Sequence, residues 1–301
     1  MLRGPGAARR NLAVANWTNE EGARFQPSLT GSSVFAGSLS VQDAYACADG
    51  DGVTLGAALA AIGYCGATPL EYRPVCYVEL HVEQGDRLEQ ASGEIAAVSG
   101  AWMTRKISVV SRVITRIRGR CRCPCVGTRC AQRPARSKPS TSKSRENAGA
   151  HASAARISVY PNSPNVVGGR ARVWFEIRHE EEAVVVAISD RFLKRIERDA
   201  REIGVGISIA ADDRRSAPSL DPAGVALILV VARDLGCKAM TLKTVTGHDA
   251  LAIQKRIPAS LIFVPSRGGF SHNPREFTAP EALDKGYAVL VETLWRMVTA
   301  V

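Results

Sequence analysis

Four short stretches of the chain concentrate histidine and carboxylate side chains: Asn16-Trp17-Thr18-Asn19-Glu20-Glu21-Gly22, Glu79-Leu80-His81-Val82-Glu83-Gln84-Gly85, Gly247-His248-Asp249-Ala250 and Phe270-Ser271-His272-Asn273-Pro274. Imidazole and carboxylate are the ligand types that suit zinc or manganese and leave a position open for water. Adjacent glutamates such as Glu20 and Glu21 also permit a division of labour, in which one binds a metal ion while its neighbour takes a proton from the metal-bound water. Read singly, each stretch has a plainer meaning. A histidine at a strand end usually completes a local hydrogen-bond pattern, and paired glutamates are usually a solvated turn. It is the set of four that points to hydrolytic metal chemistry.

The elements that must position these groups read as α/β. Leu12 to Trp17 is a short apolar run with the look of a buried strand, Val53 to Ile62 a helix closed by Gly63, and Tyr77 to Val82 a strand running into Glu83-Gln84-Gly85. Polar groups thus gather where strands end, which in open α/β sheets is where ligands bind. Regular patterning returns at Arg156, with a strand to Tyr160, a turn through Pro161-Asn162-Ser163-Pro164 and a strand from Arg170 to Arg178. A helix with Val185, Ile188, Phe192, Ile196 and Ile203 on one face stops at Gly204, and a strand covers Val205 to Ala210. This β-β-α-β unit resembles the later part of a small α+β domain. Asp221 and Pro222 open a further helix that Gly236 closes, Ser260 to Val264 is a strand, and Thr278-Ala-Pro-Glu281 reads as a capping box for a last helix toward Val298.

At 301 residues and 46% hydrophobic composition the chain can bury a sizeable core and form about two domains. It shows neither a run of about eighteen apolar residues nor the apolar core of a secretory signal, so the expectation is a soluble, cytoplasmic protein with no membrane partner. The net charge of +10 hints at nucleic acid until its location is traced. Residues 101–150 hold 13 Lys or Arg against the single acid Glu146, and the rest of the chain carries 26 basic and 28 acidic residues. Cys121, Cys123, Cys125 and Cys130 fall in the same window, while Cys47, Cys65, Cys76 and Cys237 are scattered and need no disulfide framework.

Taken in order, NWTNEEGARFQPSLTGSSVFAG from Asn16 to Gly37, ELHVEQG at 79–85, YPNSPNVV at 160–167, EIRHE at 176–180, TGHDA at 246–250 and VPSRGGFSHNPREF at 264–277 closely resemble the N-carbamoyl-L-amino-acid hydrolase, allantoate amidohydrolase and β-ureidopropionase group of the dinuclear-metal, aminopeptidase-like M20 superfamily. The resemblance covers roughly residues 11–100 and 156–300. It implies an α/β catalytic domain with an inserted smaller α+β, ferredoxin-like lid and dimerisation domain, both incomplete here. By position Glu20 resembles the general base, and Glu21, His81 and His272 resemble ligands of Zn²⁺ or Mn²⁺. His248 resembles the group that stabilises the oxyanion, and Asn165 and Arg178 resemble lid contacts to the substrate carboxylate, with Gln84 and Gly247 as further substrate contacts. An arginine fork suits a carboxylate because two parallel charge-assisted bonds fix orientation. The plainer alternatives are an Arg178–Glu180 pair and an Asn165 that only holds a turn. The implied partners are a small carbamoyl or ureido acid and a second copy in a homodimer.

The chain also departs from that pattern. Relatives carry a His-x-Asp segment and a bridging Asp upstream of the paired glutamates, whereas the nineteen residues before Glu20 contain no His or Asp, and the first Asp is Asp43. Two of about five expected ligands are missing, so at most one weakly held ion and impaired hydrolysis are expected instead of two metals per subunit, because close cations with no shared anion repel. Resemblance also lapses over 101–155, read as an aberrant and disordered basic segment of the kind that a reading-frame shift and its reversal produce. The expected organisation is therefore a first catalytic part at 1–100, this segment at 101–155, a lid remainder at 156–213 and a second catalytic part at 214–301. The rival readings are an inactive scaffold of the same family, an aminoacylase or dipeptidase, and a zinc or nucleic-acid module in 101–150. The last suffers from Cys-x-Cys spacing too tight for the common zinc geometry and from arginines without interleaved aromatics.

Overall fold

Two sheets organise the described residues of the computed structural model, which are 8–66, 68, 73–112, 149–165, 168–215 and 218–299. In chain order the elements are α1 (Thr30–Phe35), α2 (Val41–Ala46), α3 (Leu55–Ala61), β1 (Tyr77–Val82), α4 (Arg87–Gln90), β2 (Ile95–Ala101), β3 (Met103–Arg112), β4 (His151–Tyr160), β5 (Arg170–His179), α5 (Glu182–Glu202), β6 (Gly206–Arg215), α6 (Pro222–Asp234), β7 (Ala239–Thr244), α7 (Asp249–Ile253), β8 (Ala259–Val264) and α8 (Pro280–Thr299). The chain falls into two units, one made of 1–101 with 218–301 and the other of 102–217.

The first unit is built on a mixed sheet in the order β1-β8-β2-β7, parallel at both outer pairs and antiparallel between β8 and β2. Both of its faces are covered, which is why β8 is apolar at every position but Ser260 and is buried at all six. On one face Val78, Leu80 and Val82 of β1 join Ile262 and Val264 beneath α6 and α8. Gly286 lets α8 approach this closely, since a Cβ there would lie 2.5 Å from Val264 Cγ1. On the other face Leu261 and Phe263 pack with Leu251 and Ile253 of α7 and with Trp17 and Phe35. Strand alternation places Tyr77, Glu79 and His81 on this second face.

The second unit is an antiparallel sheet, β4-β5-β3-β6, with α5 on one face through Met103, Ile177, Val185 and Ile188. Beneath that helix lies Arg105, 2% exposed, whose Nε and Nη2 donate to Asp212 at 2.8 and 2.7 Å while Nη1 lies 3.3 Å from Asp190 of α5.

Three sequence expectations need correction. Residues 12–17 form no strand: Leu12 and Val14 are 63% and 100% exposed, no described strand pairs with them, and only Trp17 turns inward against Phe35 and Tyr77. Within the segment read as aberrant over 101–155, Met103–Arg112 is a ten-residue inner strand and another strand begins at His151, while residues 113–148 lie outside the described ones. The inward charge of Arg105 hid the first of these, because it breaks the apolar alternation until Asp212 and Asp190 neutralise it. The clustered cysteines, and so most of the zinc or nucleic-acid module, lie outside the described residues. The capping box fails as well: the last helix starts at Pro280 and its first bonds run to Ala279 O, so Thr278 stands one residue outside the cap position, and its hydroxyl donates to Pro265 O at 3.1 Å.

Replacing Arg105 with Met leaves two carboxylates facing an apolar layer. The expected loss is about 2 kcal/mol, below the roughly 3–5 kcal/mol of a fully buried pair because water reaches Asp190 and Asp212. Urea unfolding should show it, and an unchanged midpoint would mean that the pair is only decorative. Arg105 also holds the Asp212 carboxyl below its ordinary range. The pair's contribution is therefore present at neutral pH and lost as pH falls through that depressed value.

Candidate functional site

Glu20 and Glu21 sit in a loop held by its own backbone. Asn19 takes a left-handed conformation (φ 54°), and its side-chain amide donates to Phe25 O, Pro27 O and Thr30 Oγ1 at 3.0, 3.1 and 2.8 Å. Glu20 O in turn accepts from Leu29 N at 2.9 Å. Asparagine tolerates positive φ better than other residues with a Cβ, which explains its place before the paired acids. Glu20 is half-buried and Glu21 exposed. Burial raises the Glu20 carboxyl above its ordinary range, Glu21 and Glu79 push it further, and His81 and His272 pull against this. All four groups therefore lie within electrostatic reach of Glu20.

His272 also has positive φ (52°), and its Nε2 lies 3.3 Å from Glu21 Oε2, with the two side chains 68% and 64% exposed. The His81 Nδ1 is 2.7 Å from Val82 O, so Nδ1–H donates there and Nε2 keeps a free lone pair. The His81 ring meets that of His248 edge to face, with centroids 4.7 Å apart.

His248 is buried at 1% exposure. Its Nε2 lies 3.1 Å from Thr244 Oγ1 and 3.0 Å from Thr246 Oγ1, and the Thr246 hydroxyl donates to Gln84 Oε1 at 2.9 Å. Gly247 is exposed next to it. On the other edge of the ring Nδ1 lies 3.6 Å from Glu79 Oε1. Glu79 Oε2 accepts from Ala250 N at 2.8 Å and from the Tyr77 hydroxyl at 3.3 Å, and Trp17 Nε1 donates to that same hydroxyl at 3.2 Å. Burial lowers the His248 imidazole below its ordinary value, against the pull of Glu79. Next to it Asp249, 6% exposed, is raised by burial from 3.8 to about 6, with the Ser32 hydroxyl opposing the shift and Glu79 and Glu20 adding to it.

One unit thus brings together Glu20, Glu21, His81, Gln84, His248 and His272, with Glu79 and Asp249 as two acids not singled out from sequence. The signal for Glu79 was available, since period-two spacing puts it on the face of His81. Asn165 and Arg178 belong to the other unit. Asn165 is exposed in a turn, and Arg178 Nη2 donates to Glu176 Oε1 at 2.7 Å. The donor types suit a divalent cation, but the side chains do not complete a centre. Among the described residues no three His, Cys, Asp or Glu side chains are grouped to hold a metal ion. Also among them, no helix is long and apolar enough to cross a membrane.

A protein with this mixed α/β architecture and these motifs is an M20-type hydrolase relative, and residues 2–296 match the model of peptidase family M20/M25/M40. The chain belongs to that family. It is 31% identical over 288 residues to the N-carbamoyl-L-amino-acid amidohydrolase of Rhizobium meliloti, spanning 93% of this chain and 68% of that one. It is 28% identical to the allantoate amidohydrolase of Bacillus subtilis strain 168, spanning 97% and 72%. Among solved structures, a hydantoinase/carbamoylase family amidase from Burkholderia vietnamiensis superposes with a TM-score of 0.80 at 29% identity, covering 94% of this chain and 69% of that one.

Because the folded Asp249 value lies above the unfolded one, the stability it contributes is complete below pH ~4 and lost as pH rises through about 6. Ionised at neutral pH, Asp249 costs up to about 3 kcal/mol. Asp249→Asn should therefore raise the melting temperature clearly at pH ~7.5 and little at pH ~4. Equal shifts at the two pH values would show that the substitution acts through packing instead.

Proposed function

We propose that the chain serves as an amidohydrolase that cleaves the linear C–N bond of an N-carbamoyl amino acid or a ureido acid such as allantoate. The observation that carries this reading is the pairing of Glu20, whose proton affinity is raised, with Glu21 and His272 only 3.3 Å apart, in a chain of the M20 family. A general base works best when its pKa approaches the working pH, which is the direction in which burial and Glu21 move Glu20.

In this reading Glu20 takes the proton of the attacking water, and Glu21, His272 and the free Nε2 of His81 are the donors toward Zn²⁺ or Mn²⁺. When bound, such an ion polarises the poorly electrophilic ureido carbonyl and acidifies water. The donors gathered here are too few for the usual pair of ions, so the chain on its own is proposed to hold at most one, weakly, and to turn over poorly. The oxyanion role expected of His248 needs an N–H aimed at substrate, and Nε2 is occupied by Thr244 and Thr246. That role requires the 245–247 loop to release the ring and a proton to be carried on Nε2. Asn165 and Arg178 are proposed to meet the substrate carboxylate, Gln84 and Gly247 to line the ureido end, and a second copy to complete a homodimer.

Ammonia release from N-carbamoyl amino acids and allantoate, with Mn²⁺ or Zn²⁺ supplied, should fall far below the common enzymatic rate of about 10 s⁻¹. Glu20→Gln should remove at least about a hundredfold of what remains. An unchanged rate in Glu20→Gln would end the assignment of the base, and full turnover by the unaltered chain would end the account of an incomplete site.

A further inference from the structure

Glu79 lies two residues before His81 on β1 and is 14% exposed. Its carboxylate serves two neighbours that come from a different part of the chain. Oε2 accepts from Ala250 N, which is a free donor in the first turn of α7, a helix whose N-cap residue His248 provides no side-chain cap of its own. Oε1 faces the buried Nδ1 of His248 at 3.6 Å, and that nitrogen has no other partner. A carboxylate opposite an imidazole nitrogen repels a lone pair and attracts an N–H. The other ring nitrogen, Nε2, faces two hydroxyls, and Thr246 already donates its hydrogen to Gln84. The Thr244 hydroxyl has two acceptors in reach, Nε2 at 3.1 Å and Thr246 O at 3.3 Å, and donating to the nearer one leaves Nε2 bare.

We propose that Glu79 is a positioning residue, which caps α7 through Ala250 N and fixes His248 as the Nδ1–H tautomer, so that the His248 ring forms the wall against which His81 stands. Its purpose rests on the hydrolase reading: His81 can offer Nε2 to a ligand in one direction only while its ring is braced edge-on by His248 and backed by Phe263. The tautomer itself does not depend on that reading, so the two can fail separately.

The test is nitrogen-15 NMR of the histidine rings of the full chain at pH ~8, above the ordinary histidine range, with His248 assigned by its loss in His248→Gln. The unaltered chain should show His248 with hydrogen on Nδ1 and none on Nε2. In Glu79→Gln the amide oxygen can stay on Ala250 N while the amide NH₂ turns to Nδ1, so the ring should switch to Nε2–H, with His151 and His179 unmoved. A His248 already in the Nε2–H form, or one that does not respond in a folded Glu79→Gln, overturns the proposal. Thr244→Val provides the arm that leaves Glu79 intact. The Nδ1–H form should persist there, and a switch would assign the tautomer to the threonine and overturn the role of Glu79. Loss of ammonia release in an assay changes none of these outcomes.

Discussion

Crowded negative charge is the constraint on which the site depends. Glu20 feels Glu21 and Glu79, and Asp249 feels Glu79 and Glu20, on a face of the sheet that water reaches only in part. Like charges this close cannot all ionise freely. The protein meets the problem differently at each group. Glu79 is satisfied by Ala250 N, the Tyr77 hydroxyl and the edge of His248, and Asp249 is pushed by burial toward its neutral form. Glu21 remains in water beside His272. What is left is Glu20, half-buried and with an elevated affinity for a proton, the property on which its proposed role as general base rests.

Holding that arrangement takes backbone as well as side chains. Asn19, Gln84 and His272 adopt positive φ in three separate site loops, a conformation that costs energy for residues with a Cβ and persists only where surrounding contacts dictate it. The three hydrogen bonds of the Asn19 amide are such contacts. At Gln84 the Thr246 hydroxyl and the bond from Gln84 N to Ser266 Oγ at 3.2 Å tie the loop after β1 to the loops after β7 and β8.

Much of this was legible in the sequence, and the misses have physical causes. Helix ends marked by Gly63, Gly204 and Gly236 were readable because only a left-handed stop suits glycine so well, and all three have φ near 70°. Tyr77–Val82 was readable from its flanks. Met103–Arg112 was not, because an arginine at an inward position looks like surface until its partners, 85 and 107 residues away, are known. The capping box at Thr278 was a local pattern overruled by a tertiary bond to Pro265. For the site, the motifs named Glu20, Glu21, His81, His248 and His272, but the burial of His248 and the bridging part of Glu79 depend on β1 and α7 meeting, which no spacing within either segment encodes.

The convergence of Glu20, Glu21, His81 and His272 is most directly tested with Mn²⁺ as a paramagnetic probe, titrated while the ring signals of the five histidines are followed. An ion held by Glu21 and His272 should broaden His272 and His81 together at the lowest Mn²⁺ levels, with weak affinity, and leave His151 and His179 sharp. Broadening of His151 or His179 first, or of His272 with His81 untouched, would contradict the account.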